Sequence, residues 1–150
     1  LVEKSLVAMA RFSFRAWGDD KITSRHRTTL EITKEGVKTG YGDCIVATRS
    51  EIGLRDLPEE LMKQARVRGA AMAVILEAGG FSQLIRGRGD PALTFESGHE
   101  MVIRKSGYVC GRTLMVHANK AAAELEDSFI ELIRDGKRDI KITIVVGEES

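Results

Sequence analysis

Between Met101 and Ala122, short apolar runs alternate with Arg104, Lys105, Ser106, Arg112, Thr113, His117 and Lys120. Guanidinium and ammonium groups supply charge, while hydroxyls and backbone N–H groups supply geometry, which is the vocabulary of phosphate recognition. Gly107 follows the first basic island and Gly111 precedes the second, so each lies beside a flexible point of the backbone. Asn119 is a good N-cap, which predicts that His117 and Lys120 flank a helix N-terminus whose free N–H groups favour an anion. Four cations near a positive dipole repel one another unless a ligand neutralises them, or unless Glu31, Asp43 or Glu100 does so internally.

Three further islands carry candidate chemistry. Gly87-Arg88-Gly89-Asp90-Pro91 reads as a loop that lets a ligand approach the backbone, with Arg88 and Asp90 as binding groups; its ordinary reading is a tight turn. His26, between Arg25 and Arg27, is a candidate acid–base residue whose neutral imidazole the flanking cations favour, set against an exposed basic turn. Asp43, at the rim of the apolar run Cys44-Ile45-Val46-Ala47, is a candidate general base or magnesium ligand, set against a turn acid that satisfies backbone N–H groups.

The pairing of ligand types in His26, His117, Cys44 and Cys110 has none of the close spacing of a zinc ribbon or finger, so no zinc site is expected and no residue is assigned as a metal ligand. Walker, dinucleotide-binding and serine-hydrolase motifs are missing, which leaves any cofactor unknown.

These groups must be positioned by a chain of 150 residues, 43% hydrophobic, which fits one compact domain over residues 1–150. A formal charge of +1 removes the signature of a general nucleic-acid coat. The charge is uneven, however: residues 81–120 carry six Lys or Arg against three acids, and residues 121–150 carry four against eight. Electrostatic binding must therefore be local, unless the acidic end simply pairs with basic neighbours. Cys44 and Cys110 both sit in apolar runs, which suggests buried reduced thiols and a cytoplasmic setting. No apolar run approaches the ~20 residues of a membrane span, and the start of the sequence does not read as a secretory signal. One asparagine and two glutamines beside 30% charged residues point to a thermophilic source.

Alternation over residues 8–16 and 28–33 predicts two strands paired antiparallel, and residues 43–48 a third, more buried strand. Pro58-Glu59-Glu60 opens a helix with Leu61, Met62 and Ala65 inward and Gly69 as its stop. Residues 71–76 and 81–86 form a hairpin about Gly79-Gly80, with more strand at 92–95 and 101–104. Ala122, Leu125, Phe129, Leu132 and Ile133 make one helical stripe from Asn119 to Gly136, and residues 140–146 a last strand. No internal repeat is evident. The expected fold is α+β, a mixed, largely antiparallel sheet covered by two principal helices.

With these islands in place the chain resembles an archaeal family of small proteins known as domain of unknown function 371. The resemblance rests on Arg27-Thr-Thr-Leu-Glu-Ile-Thr33, Gly42-Asp-Cys-Ile45, Gly87-Arg-Gly-Asp-Pro91, Val102-Ile-Arg-Lys-Ser106, Arg112-Thr-Leu-Met115 and Lys120-Ala-Ala122, in that order, and covers nearly the whole chain. It implies an archaeal cytoplasmic α+β protein and supplies no reaction. Two positions depart from the family pattern, which has a His where this chain has Asp19 and an Asp where it has Asn119. If those side chains were catalytic, this member would bind without turnover.

The leading expectation is thus a protein that binds a small anionic, phosphate-bearing ligand, and an enzyme if it also acts on it. His26 and Asp43 would be the acid–base pair, and Arg88, Asp90, Arg104, Lys105, Ser106, Arg112, Thr113 and Lys120 the holders. The alternatives are an RNA-associated module tracking a backbone with the same cations, and a structural or assembly subunit, including a homo-oligomer, built on ion-pair networks. Trp17, Tyr41 and Tyr108 could stack on bases, but an aromatic content of 5% offers no interleaved platform and they read as core or rim.

Overall fold

Eight strands and two short helices follow the chain in a computed structural model that describes residues 5–38 and 42–149. The order is β1 (Leu6–Trp17), β2 (Thr29–Thr33), β3 (Ile45–Ala47), α1 (Glu59–Ala65), β4 (Ala71–Ala78), β5 (Phe81–Arg88), β6 (Glu100–Arg104), β7 (Thr113–Met115), α2 (Asp127–Ile133) and β8 (Asp139–Glu149). A 3-10 turn precedes each helix, at Leu54–Asp56 and Ala122–Glu124. The fold is α+β, but with two four-stranded sheets where one was expected, in the orders β1-β8-β4-β5 and β3-β2-β6-β7. Neighbours are antiparallel except β2–β3 and β6–β7. Single bridges, Trp17 to Thr48 and Arg88 to Val116, lace the two sheets edge to edge on both sides.

The element order is one sequence of elements run twice, so the expectation of no repeat is overturned. β1-β2-β3-α1-β4 returns as β5-β6-β7-α2-β8, and both sheet orders read the same when the halves are exchanged. The backbone repeats in detail. Ser24 and Phe95 both have φ 53, and Arg49 and His117 both have φ 51. Asp19 N–H donates to Ile133 O at 2.9 Å as Asp90 N–H donates to Ala65 O at 3.0 Å, and His26 N–H reaches Asp43 O as Ser97 N–H reaches Gly111 O.

The pseudo-dyad passes between Ile75 and Thr143 in the first sheet and between Glu31 and Val102 in the second, where equivalent residues face each other. Side chains concealed the duplication, because Trp17 is matched by Arg88, Ser24 by Phe95 and Leu54 by Ala122. The spacing between equivalent residues also shortens, from that of Gly18 and Gly89 to that of Arg49 and His117, so no fixed period runs through the chain.

Most pairing is between halves, which corrects the expected β1–β2 pair: β1 lies on β8, and β2 lies between β6 and β3. The β4–β5 hairpin is as expected, with Gly79 and Gly80 both at positive φ. Residues 92–95 are loop, and their apolar members Leu93 and Phe95 enter the core without joining a sheet.

The helix expected from Asn119 begins at Asp127, with Glu126 at its N-cap position. Asn119 instead laces onto β5, its N–H donating to Arg86 O and its Oδ1 accepting from Arg86 N–H at 2.9 Å. Glu51 does the same to Arg15 in the first half, so the position is occupied by strand-mimicking hydrogen bonds.

One apolar core joins both sheets and both helices. Leu30, Ile32, Met101 and Ile103 enter it from the second sheet, Ile140, Ile142, Ile144 and Val146 from β8, and Leu61, Phe129 and Ile133 from the helices. Each fully buried side chain of this size contributes roughly 1.5–3 kcal/mol.

Gly18 and Gly89 are equivalent, and a Cβ on either would overlap the backbone at the end of the opposite half's helix, Ile133 O or Ala65 O. Gly18→Ala and Gly89→Ala should each lower stability by about 1–3 kcal/mol, read as an earlier thermal midpoint. Gly36→Ala, whose Cβ would meet nothing closer than Asp19 Oδ2 at 3.7 Å, should leave it within about 0.5 kcal/mol.

Candidate functional site

The β2–β6 pair sends alternate residues to opposite sides. Leu30, Ile32, Met101 and Ile103 go to the core, which leaves Thr29, Glu31 and Thr33 and their neighbours Glu100, Val102 and Arg104 on the outer face, at the pseudo-dyad. The flanking parallel strands add to this face through the equivalent turns before them. Ile45 N–H closes a turn on Gly42 O and Thr113 N–H closes one on Cys110 O, each at 3.0 Å. The first turn brings Cys44 to Glu31, with Sγ 3.9 Å from Oε1. The second brings Cys110, Arg112 and Thr113 to Arg104 and Glu100.

Cys110 is the focus of the second turn. Arg104 forks, donating from Nε to Thr113 Oγ1 at 3.0 Å and from Nη2 to Cys110 Sγ at 3.3 Å, while its guanidinium stacks over Tyr108 at 4.9 Å. The Thr113 hydroxyl also accepts from Cys110 N–H at 3.0 Å and donates to Cys110 Sγ at 3.7 Å. Burial pushes the Cys110 thiol up. The hydrogen bonds from Arg112 N–H, Thr113 and Arg104, with the Arg104 charge, outweigh it and bring the thiol down to about 7.

The other cysteine behaves oppositely. Burial and the Glu31 carboxylate raise the Cys44 thiol to about 11. Burial, then Glu100, also raises Glu31 above the ordinary carboxylate range, and Arg112 and Arg104 only partly offset this. The Arg112 guanidinium is raised further above its ordinary value, mainly by its hydrogen bond to Glu100, from Nη1 to Oε2 at 3.0 Å. Four groups with displaced titration, two of them thiols, thus share one sheet face, a pattern associated with functional sites.

The remaining candidates lie elsewhere. Lys105 pairs with Glu124 at 2.6 Å. The Glu124 carboxylate is lowered first by that hydrogen bond, then by Ala121 N–H, and more weakly by the charges of Lys105 and Lys120. Ser106 accepts a turn hydrogen bond from Tyr108 N–H, and Arg88 pairs with Glu149. Asp90 accepts from Ala92 N–H at 2.8 Å as Asp19 accepts from Lys21 N–H at 2.9 Å, so both acids close the same turn in their halves.

His26 Nδ1 accepts from Thr28 N–H at 3.2 Å and Thr29 N–H at 3.1 Å. Ser97 Oγ makes the equivalent turn to His99 and Glu100. The Nδ1 lone pair is therefore committed to the backbone. Asp43 is exposed on the turn before Cys44, and its carbonyl accepts from Arg25 and His26 N–H.

Of the residues expected to act together, Arg104, Arg112 and Thr113 do converge, and Arg88, Asp90, Lys105, Ser106 and Lys120 do not join them. The repulsion expected among the cations is relieved by Glu100, Glu124 and Glu149. Of the aromatic residues considered for stacking on bases, Tyr108 lies under Arg104, Trp17 is partly buried beside Thr48, and Tyr41 falls outside the described residues. Among the described residues no group of three His, Cys, Asp or Glu is placed to hold a metal. Reading each cysteine as apolar filler missed Cys110, although Cys110-Gly-Arg-Thr113, with a thiol, an arginine and a hydroxyl within one turn, was a legible signal.

Residues 14–147 match the model of a family described as a domain of unknown function, DUF371. An uncharacterized protein of the archaeon Methanocaldococcus jannaschii is 36% identical over 134 residues, which cover 89% of this chain and 98% of that protein.

Thiolate is the form that alkylates, so iodoacetamide should label Cys110 with a rate that rises through a midpoint near pH 7, while Cys44 stays slow below pH 9. Peptide mass spectrometry distinguishes the two, and Arg104→Gln should move the Cys110 midpoint upward. A raised carboxylate binds protons more tightly in the folded than in the unfolded chain, so its stability contribution is present at low pH and lost as pH rises through the folded value. Glu31→Gln should therefore melt above the wild type at pH 8 and level with it near pH 4.

Proposed function

The chain belongs to the DUF371 family, and within that membership we propose that it binds a small anionic ligand at the pseudo-dyad face and presents Cys110 to it as a nucleophile. The observation that carries this reading is the convergence of Arg104, Thr113 and the Arg112 backbone N–H on one sulfur. Donors aimed at a single point are what an anion needs, and here the resident anion is the thiolate itself. Arg112, its side chain 55% exposed, is held by one surface carboxylate, Glu100, in an ion pair of a kind worth little in water. A phosphate or carboxylate of a ligand can replace Glu100 at Arg112 with little loss. Arg104, Arg112 and Thr113 keep the binding role expected of them, and the nucleophile is Cys110 in place of an acid–base pair of His26 and Asp43.

The structural reading has support of its own at Lys105 and Lys120, which gather about Glu124, and these residues are assigned to holding the loop before α2. The RNA reading has less support, because the cations it needs are divided among three acidic partners.

Inorganic phosphate and pyrophosphate provide the test. A ligand at one hundred times its Kd stabilises by about 2.7 kcal/mol, so a saturating rise in thermal midpoint is expected for the wild type and its loss in Arg104→Gln and Arg112→Gln. The same anions should slow alkylation of Cys110. Midpoints that do not respond, with Cys110 labelled at an unchanged rate, would overturn the reading. Salt-steep binding of mixed RNA that both variants abolish would replace it with the RNA module.

A further inference from the structure

Two halves with one backbone make a controlled comparison, since any side chain that differs between them is not required by the shared fold. At the edge where β1 meets the segment after β3, the first half is filled and neutralised. Trp17 lies on the bridge to Thr48, and Arg49 reaches across to donate to Gly18 O at 2.8 Å and Gly136 O at 2.6 Å. Arg15 pairs with Asp139 at 3.5 Å, and its N–H donates to Glu51 Oε1 at 2.6 Å.

The equivalent edge of the second half, where β5 meets the segment after β7, keeps the backbone and changes the occupants. Arg88 stands in the place of Trp17, His117 in that of Arg49, Asn119 in that of Glu51 and Ala71 in that of Asp139, while Arg86 matches Arg15. The lacing survives, so the exchanges were not needed to close the sheets. Each exchange removes bulk or negative charge, except the one that adds a guanidinium. Two carboxylates, an indole and the Arg49 guanidinium are gone, and His117 lies against Gly107, where an added Cβ would come 2.9 Å from its ring.

A cavity of about 350 Å³ lies at this edge, lined by Arg86, Arg88, His117, Asn119 and Glu149 together with the apolar Leu6 and Met72. None of the residues gathered around Cys110 lines it. Its size suits a small molecule, and a few polar groups set on an apolar floor are the usual make-up of a ligand site.

From this broken symmetry we infer a second binding site, separate from the pseudo-dyad face, for a small molecule that carries a phosphate or carboxylate on an apolar body. The anionic group takes the Arg88 guanidinium, with the Asn119 side-chain amide and the His117 ring beside it, and the apolar body rests on Leu6, over the buried Met72. Glu149 pairs with Arg88, with side chains 42% and 29% exposed. Such a pair is screened by water and is readily exchanged for a ligand anion. Glu149 is therefore the internal competitor of the ligand.

Phenyl phosphate is a suitable probe, titrated into the full chain and followed by amide chemical shifts in NMR. Saturable shifts are expected at Arg88, His117 and Asn119, with inorganic phosphate at least about tenfold weaker because it leaves the apolar floor uncovered. Arg88→Trp, which restores the residue of the first half, should weaken binding by at least about tenfold, and Arg88→Gln should do so if the tryptophan variant does not give a native spectrum. Glu149→Gln should tighten binding, and Arg104→Gln should leave it unchanged, which separates this site from the one at the pseudo-dyad face. Absence of saturable shifts at the three residues, equal binding by the Arg88 variants, or loss of binding in Arg104→Gln would each overturn the inference.

Discussion

The antiparallel pairing of equivalent strands across the pseudo-dyad, β4 with β8 and β2 with β6, is the constraint on which the rest of the structure depends. Antiparallel ladders satisfy backbone groups perpendicular to the strands, so a strand can pair with its own equivalent about a two-fold axis. Once those two pairs are formed, β1 and β5 have β8 and β4 as their templates, and β3 and β7 have β2 and β6. Neither half owns a complete first sheet, because β1–β8, β8–β4 and β4–β5 all cross between them. Gly18 and Gly89 reinforce this interleaving, each pressed against the last turn of the other half's helix.

The same axis explains the placement of chemistry. A residue on the axis meets its own equivalent, and here the pair is unequal, with Glu31 facing Val102. A carboxylate beside a buried valine loses hydration, and it meets Glu100 from the neighbouring strand. The turns before β3 and β7 then deliver Cys44 and Cys110 into opposite electrostatic surroundings, one beside an acid and one beside two arginines. The two cysteines stand at different positions of the equivalent turns, Cys110 matching Gly42 and Cys44 matching Arg112, and their different neighbours raise one thiol to about 11 and bring the other down to about 7.

How far the sequence foretold this varies with the kind of feature. Alternation in β1 and β8, the Gly79-Gly80 hairpin and the Pro58 helix start are local signals, and each was legible because a strand face, a left-handed turn or a first helical turn is set by residues close in the chain. The duplication was not, since what the halves share is the pattern of burial and of backbone hydrogen bonds, and that pattern tolerates Phe95 for Ser24. Asn119 misled for a related reason. Its side chain suits an N-cap, but its oxygen is used by the Arg86 N–H of a strand distant in sequence.

By itself the sequence determined the α+β class, most of the elements, the absence of familiar cofactor motifs and the membership in an archaeal family. It also drew attention to Arg104, Arg112 and Thr113. Only the tertiary structure decided which cations act together, because a charge is neutralised by whatever acid the fold brings within a few ångströms. Lys105 met Glu124, Arg88 met Glu149, and Arg104 met a sulfur. Coulomb attraction and hydrogen bonding act over that distance and take no account of separation along the chain. For that reason the residue types could be read from the sequence, and their partnerships could not.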